Sequence, residues 1–245
     1  MIPDYTIRES ARAKHVRFRV TVSEGLVVVI PKGFDRSRIP ALLRDKRAWL
    51  TRALHQIKQQ RQIMGAADQH PSVIDLPTLG QVWRLEWIQT DKPKISLVEP
   101  YPFELQISGP VDNVQAWQSA LKQWLIVHAQ ETLIPWTKSL SQELRIPIQR
   151  IVIRCQKTRW GSYSSKGTVS LNAQLLFVPR RLTRYVLVHE LCHAKHLNHS
   201  ASFWKLVERW EPDARSLRSD LRSAGTYVPA WVRFAGQKAA SREDG

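Results

Sequence analysis

The residues best suited to chemistry lie together in the segment VLVHELCHAKHLNHS, residues 186–200. It contains the pattern H-E-x-x-H at His189, Glu190 and His193. On an α-helix a spacing of four places both imidazoles on one face, about 6 Å apart along the axis. Two imidazoles so placed can bind one Zn²⁺ at roughly 2.0–2.1 Å each. Glu190 lies about a quarter-turn away, where it can take a proton from a metal-activated water without being a ligand.

The residues around this pattern indicate that its polar groups are buried. Four of the eight histidines of the chain fall within the eleven residues 189–199. Burying histidines and a glutamate would cost several kcal/mol unless something pairs with them. Metal binding therefore explains the segment better than a chance occurrence of the pattern. The flanking residues, apolar almost all round the helix, are Tyr185, Val186, Leu187, Val188, Leu191 and Cys192.

A third ligand must come from further along the chain. His196 lies at i+7 from His189, about 10 Å along the axis, so a straight helix cannot bring it to the same tetrahedral ion. His199 follows Asn198, a residue suited to a helix C-cap, after which the chain can turn back. We expect His189, His193 and His199 to hold the metal. Glu208 and Glu211 are the alternative third ligands.

The elements that position these residues follow from periodicity. Residues 5–31 predict strands, because HVRFRVTV alternates basic and apolar residues and LVVVIP is continuously apolar. Asp35 is expected to cap a helix that runs to about residue 62. Residues 63–74 are expected to form a loop. Two further strands are expected, one in QVWRLEWIQ (residues 81–89) and one in either KISLVE or FELQIS within residues 94–108.

The second half predicts mainly helices. A helix begins at Asp112 or Asn113 and reaches about Leu144, with an interruption at Pro135. A strand at 151–155 and the hairpin WGSYSSKGTVSLN precede the metal-binding segment. Three helices follow, at roughly 179–197, 202–210 and 213–223.

This order of elements indicates an α+β fold and not an alternating α/β one. We predict a strand-rich N-terminal region with one helix over residues 1–110. A domain that contains the metal-binding helix follows over 111–235, and a frayed tail over 236–245.

The motifs resemble those of the YgjP-like metallopeptidase family, which is related in pattern to the SprT and WLM zinc peptidases. The resemblance rests on KTRWGSYSSKGTVSLN, VHELCH and NHSASFW, and more weakly on RAKHVRFRV, LVVVIPKG and KRAWL near the N-terminus. It covers most of residues 5–222. The family usually has RWGSC, whereas this chain has Tyr163 in place of that cysteine. The resemblance implies a zincin-like C-terminal domain.

Three neighbouring residues are candidates for lesser roles. Arg159 and Tyr163 could donate to a developing oxyanion, or Arg159 and Asn172 could brace the hairpin against the helix.

Ser200 or Ser202 is expected to cap the next helix, with Phe203 and Trp204 in the core. Cys192 points off the ligand face and is expected to be a packed thiol.

Charge is unevenly distributed along the 245 residues, whose net charge is +16. Residues 1–66 hold 14 Lys and Arg against 5 Asp and Glu, and residues 149–245 hold 17 against 7. The middle, 67–148, holds 6 against 9. Such basic segments attract nucleic acid, nucleotides or acidic surfaces, or are simply solvated.

Composition restricts the compartment. With Cys155 and Cys192 as its two cysteines the chain cannot build a disulfide framework, which suits a reducing compartment. It shows no signal peptide at residues 1–10 and no apolar run as long as a membrane span, so we expect a cytoplasmic protein and no membrane partner.

Three functions are consistent with these observations. The first is a zinc metallopeptidase acting on a peptide or protein. The second is a metal-dependent nucleotide or phosphoester hydrolase, and the third is a nucleic-acid-binding module with a structural metal. Glu190 disfavours the third, because a structural site needs no base and is closed by four protein ligands.

Overall fold

The computed structural model describes residues 3–21, 25–47, 49–51, 53–54, 68–156 and 158–233. These residues form two compact units, one that extends to Gln69 and one that spans His70–Ala235. The predicted boundary lies at residue 110, so the two divisions differ in the unit to which residues 70–110 belong. The expected tail, 236–245, lies outside the described residues.

The first unit is a three-stranded sheet covered by a short helix. Strands β1 (Tyr5–Ser10), β2 (Arg17–Thr21) and β3 (Gly25–Pro31) lie in the order β1-β3-β2, with β1 parallel and β2 antiparallel to β3. One face packs on helix α1 (Ile39–Asp45) through a common apolar cluster. The alternation predicted for β2 is confirmed: its apolar residues join that cluster and its arginines are exposed.

Asp35 caps a 3-10 helix that precedes α1, and not α1 itself as predicted. The Asp35 carboxylate accepts a hydrogen bond from the Ser37 amide at 3.0 Å, and the capped element is the 3-10 helix Arg36–Arg38. This helix leads directly into α1. The predicted continuation of the helix over 55–62 lies outside the described residues.

The second unit begins with a four-stranded sheet. Strands β4 (Val73–Leu76), β5 (Gln81–Gln89), β6 (Ser96–Val98) and β7 (Glu104–Gly109) lie in the order β4-β5-β7-β6. Both alternatives for the strand within 94–108 therefore form. Strand β4 overlaps the end of the predicted loop 63–74. Its four residues are too few to show the alternating pattern of a strand, and Pro71 lies just before them.

Helix α2 (Val114–Glu143) runs beneath this sheet. Asn113 caps it, with its side-chain oxygen accepting from the Ala116 amide at 3.1 Å. The predicted interruption at Pro135 is wrong, since the helix continues through it. Burial of Leu133, Thr137 and Leu140 on either side holds the helix together, although proline removes one backbone hydrogen bond.

A second small sheet lies next to the helices of the C-terminal third. Strands β8 (Arg150–Arg154), β9 (Gly161–Tyr163) and β10 (Thr168–Asn172) lie in the order β8-β10-β9, with the predicted hairpin between β9 and β10. The helices that follow are α3 (Arg180–Cys192), α4 (Ala201–Trp210), α5 (Ala214–Ser223) and α6 (Ala230–Arg233). The predicted α+β class is confirmed. Among the described residues, no helix is long and apolar enough to cross a membrane.

Candidate metal centre

Helix α3 carries His189 and Glu190 and is fixed at its start by a buried hydroxyl network. Thr78 Oγ1 lies 2.7 Å from the Leu175 carbonyl, 2.8 Å from the Val178 carbonyl and 2.7 Å from Thr183 Oγ1. Arg180 also donates to the Thr78 carbonyl at 3.1 Å. These bonds join the first turn of α3 to the loop after β4. They therefore fix the start of the helix, which precedes His189 in the chain.

The chain turns back after α3, and this turn brings the third histidine to the first two. α3 ends at Cys192, five residues before the predicted end, and His193 is its C-cap. The following turn is closed by backbone bonds from Lys195 and His196 to the Cys192 carbonyl. Ser200 then caps α4, with its hydroxyl accepting from the Phe203 amide at 3.4 Å.

Three imidazoles converge where the turn and the helix meet. One ring nitrogen from each of His189, His193 and His199 lies within 4.8 Å of the others. Nε2 of His189 and Nε2 of His199 are 3.1 Å apart. Two nitrogens on a tetrahedral zinc, at roughly 2.0–2.1 Å each, are about 3.3 Å apart. The three side chains therefore fit a zinc ion in donor type, number and spacing.

The tautomer of His193 suits a ligand. Its Nδ1 lies 3.0 Å from the backbone carbonyl of His196 and donates to it in the neutral ring. This bond leaves the lone pair on Nε2 free for a metal, which is the usual arrangement around ligating histidines.

His189 is held neutral by its surroundings. Burial, and then the positive charges of His193, His199 and Arg218, lower its pKa to about 3. Burial likewise lowers the pKa of His199. A neutral imidazole offers a lone pair, so both rings are in the form that binds metal.

The alternative third ligands lie elsewhere. Glu211 forms an ion pair with Arg184 of α3, and the same guanidinium reaches Glu143 at 3.6 Å. Glu208 is exposed on α4. His196 contributes its backbone carbonyl to the cluster, through His193. Within the described part of the chain, the three histidines are the only group of three or more histidine, cysteine, aspartate or glutamate side chains close enough to hold a metal.

Two aromatic rings support the histidines. Phe203, fully buried on α4, stacks on His193 with ring centroids 4.5 Å apart. Trp204 stacks on His199 at 5.6 Å and is partly buried. The expectation that both belong to the core is accurate for Phe203, whereas Trp204 lines the cavity beside the metal centre.

A cavity of about 610 Å³ opens beside the histidines. Glu190 lines it and is 7% exposed. Burial raises the pKa of Glu190 to about 8, and the nearby charge of Arg159 opposes that rise. The carboxyl packs against the backbone of β9, since a Cβ on Gly161 would lie 2.7 Å from Glu190 Cγ. Only glycine allows this close approach.

Several cavity residues are absent from the sequence-based expectations. Arg218, Leu221 and Arg222 of α5 line it, as does the buried Tyr185 of α3. The spacing of Arg218, Leu221 and Arg222 places them on one face of a helix. That signal shows which residues share a face, although the sequence alone does not show what the face meets.

The remaining candidates around the hairpin have separate roles. The Asn172 amide donates to the backbone carbonyls of Gln156 and Arg159, each at 2.8 Å, and therefore braces the segment before β9. Arg159 lines the cavity, and Tyr163 is not among the described residues that do. Cys192 is fully buried, which matches the expectation of a packed thiol.

Comparisons with known proteins identify a family and a similar solved structure. A family model described as YgjP-like, metallopeptidase domain, matches residues 14–224. A solved structure, that of the metallopeptidase zymogen of Pyrococcus abyssi abylysin, is 27% identical to this chain. The similarity covers 36% of this chain and 89% of that one, with a TM-score of 0.33. A comparison with curated proteins gives no match.

Proposed function

Because the chain belongs to the YgjP-like metallopeptidase family, we propose that it is a zinc-dependent peptidase that uses Glu190 as its general base. His189, His193 and His199 would hold the zinc ion. The substrate would be a peptide or protein. We place the enzyme in the cytoplasm, since both cysteines are free thiols.

The observation that carries this proposal is the convergence of three imidazoles beside a cavity that a buried carboxyl also lines. Three protein ligands leave a fourth position of a tetrahedral zinc for water or substrate, as in catalytic sites. A closed structural site would need a fourth protein ligand. This distinction disfavours the nucleic-acid-binding module with a structural metal.

The chemistry divides between the ion and the protein. When bound, zinc lowers the pKa of water and polarises a carbonyl. Glu190 would accept the proton of the attacking water and pass it to the leaving amine. The Arg159 guanidinium lines the same cavity and can donate to the oxygen on which negative charge develops. Packing against Gly161 limits the movement of the Glu190 carboxyl between these steps.

A direct test is cleavage of casein by the purified, zinc-loaded protein. We expect product formation that stops with 1,10-phenanthroline and returns on addition of zinc. Heat-denatured protein and the His189→Ala/His193→Ala variant, incubated with the same zinc, serve as controls. Zinc-loaded protein that cleaves neither casein nor short peptides would contradict the proposal.

A second candidate is hydrolysis of nucleotides or other phosphoesters. The observation in its favour is that Arg159, Arg218 and Arg222 all line the cavity, which suits an anionic substrate. The same incubation with nucleoside triphosphates separates the two candidates. Release of phosphate or pyrophosphate without cleavage of peptides would replace the first candidate by the second.

A further inference from the structure

The metal cavity is strongly basic on the side formed by α5. Arg218 and Arg222 are exposed residues on one face of this helix, and both line the cavity. Arg159 lines it from the segment before β9. Glu190 is the only acidic residue among the described residues that line the cavity.

Neighbouring arginines differ from these in having acidic partners. Arg181 pairs with Asp220 at 2.6 Å, and Arg184 pairs with Glu143 and Glu211. The acidic side chains closest in sequence to the cavity arginines are therefore already engaged. Within the described residues, no carboxylate forms an ion pair or hydrogen bond with Arg159, Arg218 or Arg222.

Arg218 is held close to the metal centre by an aromatic contact. Its guanidinium lies over the Trp204 ring, 4.5 Å from the centroid. The Trp204 ring in turn stacks on His199, a candidate ligand, at 5.6 Å between centroids. An extended peptide advances about 3.3–3.6 Å per residue, so Arg218 and His199, joined through these two contacts, lie at most roughly three substrate residues apart.

We propose that Arg218 and Arg222 form a subsite for a carboxylate of the substrate, within about three residues of the scissile bond. The inference rests on the proposed peptidase function and gives it a substrate class, peptides that are acidic near the cleavage site. Arginine suits this role because its planar guanidinium offers several donors to a carboxylate. The carboxylate is either an aspartate or glutamate side chain or the free C-terminus of the peptide.

The test measures which peptides the zinc-loaded protein cleaves. A mixture of random peptides is incubated with it, and cleavage sites are mapped by mass spectrometry. We expect enrichment of aspartate and glutamate, or of free C-termini, within about three residues of the cut. Matched synthetic peptides with glutamate against glutamine, and with a free against an amidated C-terminus, then identify the source of the carboxylate.

Variants connect the preference to the two arginines. In Arg218→Gln/Arg222→Gln we expect kcat/KM for the acidic peptide to fall roughly tenfold or more, chiefly through KM, with little change for its neutral counterpart. Arg218→Glu is expected to reverse the preference towards lysine-containing peptides. Arg215→Gln is the matched control, since Arg215 is exposed on the same helix and is not among the residues lining the cavity.

Binding provides a readout separate from turnover. Zinc-loaded Glu190→Gln protein should bind a labelled acidic peptide more tightly than the neutral one, and the Arg218→Gln/Arg222→Gln changes should remove that difference. Cleavage of peptides with no acidic preference, or a preference that survives in the double variant, overturns the subsite and leaves the peptidase function standing. Absence of any zinc-dependent peptide cleavage, with hydrolysis of nucleoside triphosphates instead, overturns both and assigns the arginines to phosphate.

Discussion

Among the described residues of the second unit, imidazoles pack against aromatic rings in two regions, and these differ in what the ring nitrogens face. The metal cluster consists of His189, His193, His199, Phe203 and Trp204. The tryptophan cluster comprises two groups of ring contacts, His70 with Trp87 and Trp117, and His128 with Trp83 and Trp124. The distances between ring centroids are similar, 4.5 Å between His193 and Phe203 and 4.0 Å between His70 and Trp87.

In the tryptophan cluster each histidine has a separate hydrogen-bond partner. His70 Nε2 lies 2.9 Å from the Val111 carbonyl, and His128 Nε2 lies 3.0 Å from Glu99 Oε1. In the metal cluster Nε2 of His189 instead faces Nε2 of His199 at 3.1 Å. At this distance one neutral ring can donate a hydrogen bond to the other, whereas a cation can take a lone pair from each of the three rings. Convergence of the nitrogens, and not burial among aromatic rings, therefore distinguishes a candidate metal centre.

A glutamate lies beside each cluster, and the two glutamates differ in environment. Glu99 has a side chain that is 43% exposed, and it accepts a hydrogen bond from Trp124 Nε1 at 2.7 Å. Glu190 is 7% exposed and lines the cavity. A carboxyl already hydrogen-bonded at the surface has a structural use, whereas a buried one next to a cavity is suited to proton transfer.

The largest effect should come from removing histidines of the metal cluster. We expect His189→Ala/His193→Ala to lower the zinc content from one ion per chain to none and to abolish activity. His70→Ala/His128→Ala should keep the zinc and lose only stability, because those rings contribute packing and hydrogen bonds. Elemental analysis with thermal unfolding measures both. Equal zinc content in the two double variants would remove the distinction between the clusters.

Exchanging each glutamate for glutamine should give the next largest difference. Glu190→Gln is expected to retain zinc and lose ~10²–10⁴-fold in kcat, since an amide nitrogen cannot accept the proton. Glu99→Gln keeps an acceptor oxygen for Trp124 and should turn over normally. Steady-state kinetics on a cleaved peptide, with zinc content measured in parallel, tests this. Loss of zinc from Glu190→Gln would show that Glu190 is a ligand and not the base.

The metal-free protein should reveal the buried carboxyl of Glu190 through pH. Because its pKa is raised from 4.5 to about 8 in the folded state, the folded protein retains between these values a proton that the unfolded chain has released. Stability therefore falls as pH rises from 5 to 8, by roughly 4 kcal/mol relative to Glu190→Gln, which has no such proton. The low pKa of His189 acts below pH 6.5 and equally in both proteins. Urea unfolding in the presence of EDTA, across this range, measures the difference, and parallel curves for the two proteins would contradict it.

Features that depend only on local geometry could be predicted from the sequence. The spacing of His189 and His193 requires only local helix geometry, so periodicity predicts that they share a face. The strong alternation in β2 and the apolar run in β3 likewise predict strands without tertiary information. Asn113 and Ser200 are caps that act within three residues of themselves, and both were recognisable by type.

Features set by contacts between distant segments could not be read in this way. Helix α2 continues through Pro135 because buried residues on both sides pack against the rest of the unit. Helix α3 ends at Cys192 and not near residue 197 as predicted. The polar, histidine-rich segment after Cys192 turns back and leads into α4. Arg218 and Arg222 line the cavity because α5 packs beside α3, a contact that no local pattern specifies.

The smallest effect is expected at His196, the histidine closest to the ligands that is not one of them. It serves the metal cluster through its backbone carbonyl, which accepts from His193 Nδ1 at 3.0 Å. His196→Ala keeps that carbonyl, so the zinc affinity should stay within about twofold of the wild-type value. His199→Ala removes a nitrogen that lies 3.1 Å from His189 Nε2, and should weaken zinc binding by more than the roughly 10–100-fold that loss of an outer partner costs. Competition with a chromogenic zinc chelator measures both affinities. A reversal of the two effects would mean that the turn after Cys192 directs the His196 ring, and not that of His199, towards the metal.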